Sequence, residues 1–315
     1  MAWIGLWRWP LILAPLLLLL TSCTQETSPD VSSLEAASID LRITEPPWEP
    51  QAQMSRRMQH LTTYLKSSTG LTVKYIPAIN YDHSYSLMER GQADLILVGV
   101  YGGYRLLKAL PDARPLVVQK PSYRVVMLGR RRWMEKLDSG EEPSLASVKG
   151  RRVGFGSRFS GSTFLQPMLA LQEEGLDPSV MAYCSHEPLQ RHLPIQVANG
   201  QLDFVFVPSF NDQQDHFVPE SLRDQLAVVW IGTPRRNDYV IALYRPEDLQ
   251  RQEHLRLVQE AFLNLDRSSL DGRVVLNARG FPGYELPTPE FPQMTNQRLE
   301  SLLAMYGGRP ICEDS

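Results

Sequence analysis

Short apolar runs alternate with amphipathic stretches along most of the chain. Residues 94–98 (DLILV) form a continuous apolar run, which is typical of a strand buried on both faces. Residues 51–67 carry apolar side chains at helical spacing and stop before Gly70, which indicates an amphipathic helix with a glycine at its end. Because the two patterns alternate, the sequence predicts βαβα units and mostly parallel sheets covered by helices.

The same patterns place further elements. A five-residue pattern, Gly-Gln-x-Asp and then an apolar residue, occurs at 91–95 and again at 200–204, each time between a helix and a strand. This echo indicates two similar α/β lobes. Helices are predicted at 81–90, 102–110, 164–174 and 249–265, with another that includes 195–198. Strands are predicted at 39–43, 71–76, 123–128, 152–155, 181–184, 204–207, 227–231 and 239–244.

The N-terminal segment has the pattern of an export signal. Arg8 is the one charge before the apolar run 11–20, which is too short for a transmembrane helix of about 20 residues. The run ends in Leu-Thr-Ser before Cys23, which resembles the bacterial lipobox, where the cysteine takes a diacylglycerol and becomes the new N-terminus. We therefore expect a lipoprotein signal peptide at 1–22, lipidation of Cys23 and a lipidated tether at 23–38. The alternative is an ordinary cleaved signal with a chance cysteine.

Composition narrows the classes of protein. A chain of 315 residues is long enough for about two domains. With 43% hydrophobic and 21% charged residues it is globular, and a net charge of -3 argues against a nucleic-acid partner. After Cys23, two cysteines remain, Cys184 and Cys312, which either pair in an oxidising compartment or stay apart as thiols.

A Gly/Ser-rich turn between a predicted strand and helix, residues 154–163, is the main candidate for chemistry. Phe159 breaks the dinucleotide fingerprint, and Ser162 stands where a P-loop needs lysine. Ser160, Ser162 and Thr163 at a helix N-terminus offer hydroxyl and backbone N–H donors to an anion, although capping alone also favours these residues. The chain has no zincin, nucleophile-elbow or Cys-x-x-Cys pattern. We therefore expect a binder rather than an enzyme, with no cofactor and no metal.

Together these motifs resemble the solute-binding proteins of phosphonate, phosphite and phosphate ABC transporters, from about residue 39 to about residue 283. In that family the anion-binding turn reads Ser-Thr-Ser-Gly, an aromatic residue, Leu, any residue and Pro, and residues 160–167 (SGSTFLQP) line up with it. The other matching segments are Thr44-Glu45 after a strand, Tyr81 opening a helix, His186-Glu187 after a short strand, the Asn-Gly-x-x-Asp of 199–203, and Pro234 to Asp238.

The resemblance implies a two-lobed α/β periplasmic-binding-protein fold of the type II kind, with a mostly parallel sheet flanked by helices in each lobe. Lobe one would combine 39–122 with 238–315, and lobe two would span 123–237, with two hinge crossings near Tyr123 and Asp238. The protein would be a monomer in the bacterial periplasm or at the cell surface, anchored to the membrane by lipid, and it would pass a small anion to an ABC permease. The resemblance implies these ligand-binding residues: Glu45, Tyr81, Ser160, Ser162, Thr163, His186 and Asp238.

Two departures from the family pattern bear on the ligand. Gly161 stands where the family has threonine, so one hydroxyl donor is missing, and Thr163 replaces a glycine. Phe210 takes the place of an acidic residue that holds the ammonium of aminoalkylphosphonates, which argues against such a ligand. The alternatives are another ligand class on the same fold, such as a sulfonate, nitrate or vitamin precursor, or a lipoprotein that presents its ligand to a membrane kinase.

Overall fold

Two six-stranded sheets, each flanked by helices, form the protein in a computed structural model that describes residues 38–132, 143–210, 217–236, 238–288 and 312–314. The predicted signal peptide, Cys23 and most of the tether lie outside these residues. The strands are β1 Leu41–Thr44, β2 Val73–Tyr75, β3 Leu95–Val98, β4 Ala113–Lys120, β5 Arg124–Arg130, β6 Arg152–Phe155, β7 Tyr183–His186, β8 Phe204–Ser209, β9 Leu226–Ile231, β10 Tyr239–Leu243, β11 Gly283–Glu285 and β12 Glu313–Asp314.

The helices flank these sheets. Across the described residues, none is long and apolar enough to cross a bilayer. They are α1 Gln51–Thr69, α2 Tyr81–Glu89, α3 Val100–Ala109, α4 Gln166–Glu173, α5 Leu193–Ala198, α6 Leu249–Leu263 and α7 Leu270–Arg279.

Each sheet belongs to one lobe. Lobe one has the strand order β11-β4-β10-β3-β1-β2, and lobe two has β12-β7-β6-β8-β5-β9. The strands joined by helical crossovers run parallel, whereas β4, β5, β9, β10 and β11 pair antiparallel with their neighbours. The two-lobed α/β fold predicted from the sequence is confirmed. The apolar run of β3 is buried along its whole length, because helices cover both faces of the sheet.

The repeated Gly-Gln-x-Asp pattern has the same structure in both lobes. In lobe one the backbone N–H of Asp94 donates to the carbonyl of Arg42 (2.8 Å), and Oδ2 of Asp94 accepts from the N–H of Arg42 (2.7 Å). In lobe two Asp203 and Arg152 form the same pair of bonds, at 2.8 and 3.0 Å. The glycine of each copy has a left-handed backbone, with φ of 64° and 77°. The pattern therefore ends a helix and fixes the start of a neighbouring strand twice.

Three elements of lobe one are not predicted by the sequence pattern. Strand β4 contains Pro115, which argues against a strand, and the structure accommodates it beside a register shift between Val240 and Ile241. Strand β11 has three residues, and helix α7 buries two apolar side chains, those of Val275 and Leu276. The signals at the two ends of α7 are nevertheless present, since Ser269 accepts from the N–H of Gly272 and Gly280 ends the helix.

Within the described part of the chain, two segments cross between the lobes, one from β4 to β5 and one from β9 to β10. They are joined where the N–H of Tyr123 donates to the carbonyl of Arg235 (2.9 Å) and the N–H of Arg235 donates to the carbonyl of Tyr123 (2.7 Å). The chain end differs from the expectation that all of 238–315 lies in lobe one. Strand β12 pairs with β7 in lobe two, because a disulfide joins Cys184 to Cys312 with their Cα atoms 4.9 Å apart.

Candidate functional site

A cleft of about 850 Å³, counted out to its open mouth, lies between the two lobes. Lobe one supplies the residues that follow β1 and β3, together with the N-terminal ends of α2 and α3. Lobe two supplies the turn that follows β6 and the short turn at Gln190. Because the carboxyl ends of parallel strands and the N-terminal ends of helices meet at one edge of a sheet, both lobes present backbone N–H groups to this space.

The Gly/Ser-rich turn caps a helix and faces the cleft at the same time. Ser160 Oγ accepts from the N–H of Thr163 (3.2 Å), and the carbonyl of Ser160 accepts from the N–H of Leu165 (3.0 Å). The residues Gly161–Leu165 form a π-helical turn that leads into α4. Ser160 and Ser162 line the cleft. Capping and ligand contact are therefore compatible at this turn.

Thr163 and His186 lie behind the turn and do not line the cleft. The Thr163 side chain is fully buried against Gly156, where an added Cβ would lie 1.9 Å from its Oγ1. His186 is buried beside the ring of Phe164, and its Nδ1 bonds the carbonyl of Gly156 at 2.8 Å. Since a carbonyl only accepts, Nδ1 carries the proton. Both side chains thus support the strand end from which the turn starts.

Tyr81 connects the two lobes across the cleft. Its hydroxyl accepts from Nε2 of Gln190 at 2.6 Å, and Ser160 also bonds this hydroxyl. Helix α2 begins at Tyr81 because Asn80 Oδ1 accepts from the N–H of His83 (2.7 Å). Burial, followed by the negative charge of Asp238, raises the pKa of Tyr81 well above its ordinary value, so the hydroxyl remains a neutral hydrogen-bond donor.

Glu45 lines the cleft and is held in a buried ion pair. Its two carboxylate oxygens accept from Nη1 and Nη2 of Arg279 at 3.2 and 3.1 Å, and Trp48 Nε1 donates to Oε1 at 3.1 Å. Burial alone would raise the pKa of Glu45, but the charges of Arg279 and Arg57 outweigh it and lower the pKa. Glu45 is therefore a charged part of the wall whose oxygens already have partners.

Asp238 is the second carboxylate of the cleft. It lies against Gly99 at the start of α3, where an added Cβ would be 3.3 Å from Oδ1. Burial, followed by the negative charge of Glu45, raises the pKa of Asp238 to about 6, and the positive charge of Arg279 opposes this rise. The structure thus brings Glu45, Tyr81, Ser160, Ser162 and Asp238 to one cleft.

A sequence profile decides the family. The profile of the periplasmic substrate-binding protein of phosphonate ABC transporters matches residues 43–290. The chain belongs to this family. The match spans both lobes and every residue of the cleft described above, so the family assignment covers the site as well as the fold.

Solved structures of substrate-binding proteins share the fold. PhnD1 from Prochlorococcus marinus, in complex with methylphosphonate, superposes with a TM-score of 0.72 at 17% identity, covering 83% of this chain and 97% of that one. The binding component of a phosphonate ABC transporter from Pseudomonas aeruginosa gives 0.68 at 15%, covering 86% and 90%. The aliphatic sulphonate binding protein of Escherichia coli gives 0.54 at 14%, covering 85% and 92%. At these identities the likeness concerns the fold alone.

An interlobe clamp joins the two lobes beside the cleft, and sequence reasoning missed it. The clamp consists of Trp48 and Glu49 from lobe one with Arg191 and Phe217 from lobe two. The two rings stack at 5.9 Å, and Nε of Arg191 lies 3.3 Å from Oε2 of Glu49. Gln190 and Arg191 lie in the segment after His186-Glu187, and no motif of the sequence points to them.

The arginines of this wall contact carboxylates of the protein itself. Each of three arginines contacts a carboxylate: Arg57 and Arg191 contact Glu49, and Arg279 contacts Glu45. The remaining polar groups that face the cleft include neutral donors, namely serine, tyrosine and glutamine side chains. Among the described residues, no group of three or more His, Cys, Asp or Glu side chains could hold a metal ion.

Proposed function

We propose that this protein is the extracytoplasmic solute-binding lipoprotein of an ABC importer, which captures a small phosphorus oxyanion (phosphonate, phosphite or phosphate) between its lobes and delivers it to a permease. The observation that carries the proposal is the turn at 160–162, which faces Tyr81 of the other lobe across the cleft. An anion there would receive hydrogen bonds from both lobes, so binding would favour the closed arrangement that a permease recognises.

The donors in the cleft suit an oxyanion. Ser160, Ser162 and Tyr81 supply hydroxyl groups, and the helix that starts at Gly161 has backbone N–H groups without intrahelical partners. Hydrogen bonds to a charged acceptor are stronger than neutral ones, and exclusion of water strengthens them further. Phe210, Phe217 and Trp48 give the cleft an apolar wall, which favours a short alkyl substituent over an ammonium group.

The first test concerns Ser162. Replacing Ser162 by alanine should weaken binding of methylphosphonate or phosphite by about 1.5–3 kcal/mol, the range for a hydrogen bond to a charged group. Calorimetric titration of the folded protein measures this loss. Ser269→Ala is the matched control, because Ser269 caps α7 away from the cleft. It should lower the free energy of unfolding by about 1 kcal/mol and leave affinity unchanged. Equal affinities of Ser162→Ala and wild type would contradict the proposal.

The second test concerns Cys23. Lipidation there would hold the binding domain at the membrane through acyl chains, at about 0.8 kcal/mol for each buried CH₂. The disulfide between Cys184 and Cys312 fits an oxidising compartment outside the cytoplasm. Replacing Cys23 by alanine should release the protein from the membrane or block its processing, as fractionation and mass spectrometry would show. An unmodified residue 23 in the mature wild-type protein would refute the lipoprotein assignment.

A further inference from the structure

We propose that Arg191 of the interlobe clamp is a positioning residue for ligand binding. Its contact with Glu49 holds the two lobes together and so sets how long a ligand stays bound, although Arg191 and Glu49 both lie outside the lining of the cleft. The inference deepens the proposed function and rests on it, because it takes the cleft to hold a ligand whose release requires the lobes to open.

Glu49 is shared between the lobes. It lies just before α1 in lobe one, and its side chain is 2% exposed. Oε1 of Glu49 contacts Nη2 of Arg57 in the same lobe, whereas Oε2 lies 3.3 Å from Nε of Arg191 in lobe two. Separation of the lobes would break the second contact and leave the first in place. The ion pair with Arg191 therefore adds its free energy to the closed arrangement alone.

Two aromatic rings of the clamp also contact Arg191. Its guanidinium carbon lies 5.5 Å from the ring centroid of Trp48 in lobe one and 5.6 Å from that of Phe217 in lobe two. The two rings stack with 18° between their planes, and Trp48 Nε1 donates to Glu45 of lobe one. A guanidinium is attracted to the face of an aromatic ring. Closure thus gives Arg191 a carboxylate and an aromatic ring of lobe one at the same time.

The turn that carries Arg191 is fixed in lobe two. Glu187 follows β7, and its Oε1 accepts from the N–H of Leu189 at 2.8 Å. The next residue, Gln190, donates to Tyr81 inside the cleft at 2.6 Å. Gln190 and Arg191 therefore reach lobe one at two points, of which the one at Arg191 lies outside the cleft lining. A change at Arg191 alters the closure of the lobes and leaves the groups that face the ligand in place.

A contact that acts on closure has a kinetic signature. A ligand enters while the lobes are apart and leaves only after they separate, so weaker closure speeds dissociation and leaves association nearly unchanged. Affinity falls by the factor by which the closed arrangement loses population. Because Arg191 lies outside the cleft lining, this factor should be the same for every ligand that the cleft accepts.

The test replaces Arg191 by methionine, which keeps much of the length of the side chain and removes its charge. Calorimetric titration should show binding of methylphosphonate and of phosphite weakened by the same factor, about 10-fold. Stopped-flow measurement of tryptophan fluorescence should show dissociation faster by that factor and association within about 2-fold of wild type. The Arg191 side chain is 25% exposed and each lobe has its own sheet, so the variant should keep the fold.

Two variants serve as controls. Arg191→Lys retains the positive charge and should recover part of the lost affinity, although it lacks the planar guanidinium. Arg256→Met removes an arginine whose partners, Glu253 and Glu260, lie on its own helix α6. It should leave both rate constants unchanged.

A double-mutant cycle tests whether Arg191 acts through Glu49. In the Glu49→Gln background, Arg191→Met should weaken methylphosphonate binding by about 3-fold or less, because the ion pair is already lost. A loss as large as in the wild-type background would show that Arg191 does not act through Glu49, and would overturn the proposal.

The outcomes separate this inference from the function on which it rests. If wild-type protein binds neither methylphosphonate, phosphite nor phosphate, the proposed function fails, and the role of Arg191 fails with it. If wild-type protein binds methylphosphonate and Arg191→Met has the same affinity and dissociation rate, the proposed function stands and the role of Arg191 is wrong. Slower association with unchanged dissociation would also overturn it.

Discussion

Replacing Arg279 by methionine should lower the free energy of unfolding by about 3–5 kcal/mol, the usual loss when one partner of a buried ion pair is removed. Arg279 and Glu45 are both almost fully buried, with exposed fractions of 6% and 3%, and both guanidinium Nη atoms bond the carboxylate. The substitution leaves a carboxylate buried without its main partner. Urea denaturation at neutral pH, followed by the fluorescence of the tryptophans, measures the effect.

Two further variants test whether the loss of stability comes from the broken ion pair. Arg273→Met changes an exposed arginine on the same helix and should shift stability by no more than about 0.5 kcal/mol. Adding Glu45→Gln to Arg279→Met should restore part of the lost stability, because the uncompensated charge is removed. A double variant no more stable than Arg279→Met would show that lost packing, rather than the buried charge, causes the loss.

As Glu45 titrates, the free energy of unfolding should change with pH in opposite directions in wild type and in Arg279→Met. In wild type the pKa of Glu45 lies below its ordinary value of 4.5, so the ion pair stabilises the fold above that value and loses its effect as the pH falls through the lowered pKa. Without Arg279, burial is opposed mainly by Arg57, and the pKa of Glu45 should rise. Protonation then relieves the buried charge, so the stability difference between the two proteins should shrink as the pH falls from 7 to about 4.

Local patterns allowed much of the fold to be predicted. The continuous apolar run of β3 and the two Gly-Gln-x-Asp copies depend on short-range geometry, a glycine that ends a helix and an aspartate that bonds the next strand. Strand β4 was missed because Pro115 argues against a strand. The register shift in the partner strand β10, which accommodates this proline, is visible only in the structure. Helix α7 was missed because it buries few apolar residues, although it carries Arg279.

Sequence could predict those parts of the candidate site that lie within a single local motif, but not the contacts between distant segments. The turn at 160–162 and Tyr81 stand next to recognisable patterns, and the structure places them at the cleft. Gln190 bonds Tyr81 across 109 residues of sequence, and no local pattern could connect them. Thr163 and His186 lie in the expected segments, but the register of β7 and the π-helical turn direct their side chains behind the cleft.

Removing the disulfide should cost about 2–5 kcal/mol of stability, because a bridge across 128 residues restricts the unfolded chain strongly. The residues that it encloses include β8 and β9 of lobe two and β10, α6, α7 and β11 of lobe one. The bridge thus ties β7 covalently to the chain end, whose strand β12 pairs with β7 in lobe two. We expect the variant Cys184→Ser with Cys312→Ser to unfold at a lower temperature than the oxidised wild type.

A reducing agent provides the control for this last prediction. Reduction should lower the unfolding temperature of wild-type protein to about that of the double serine variant, and the variant itself should not respond. Cys184 lies in β7 two residues before His186, yet it does not line the cleft. Ligand affinity measured well below the unfolding temperature should therefore be the same with and without the bridge. A loss of affinity in the folded serine variant would mean that the bridge also positions the strand end behind the turn at 160–162, through the bond from His186 to Gly156.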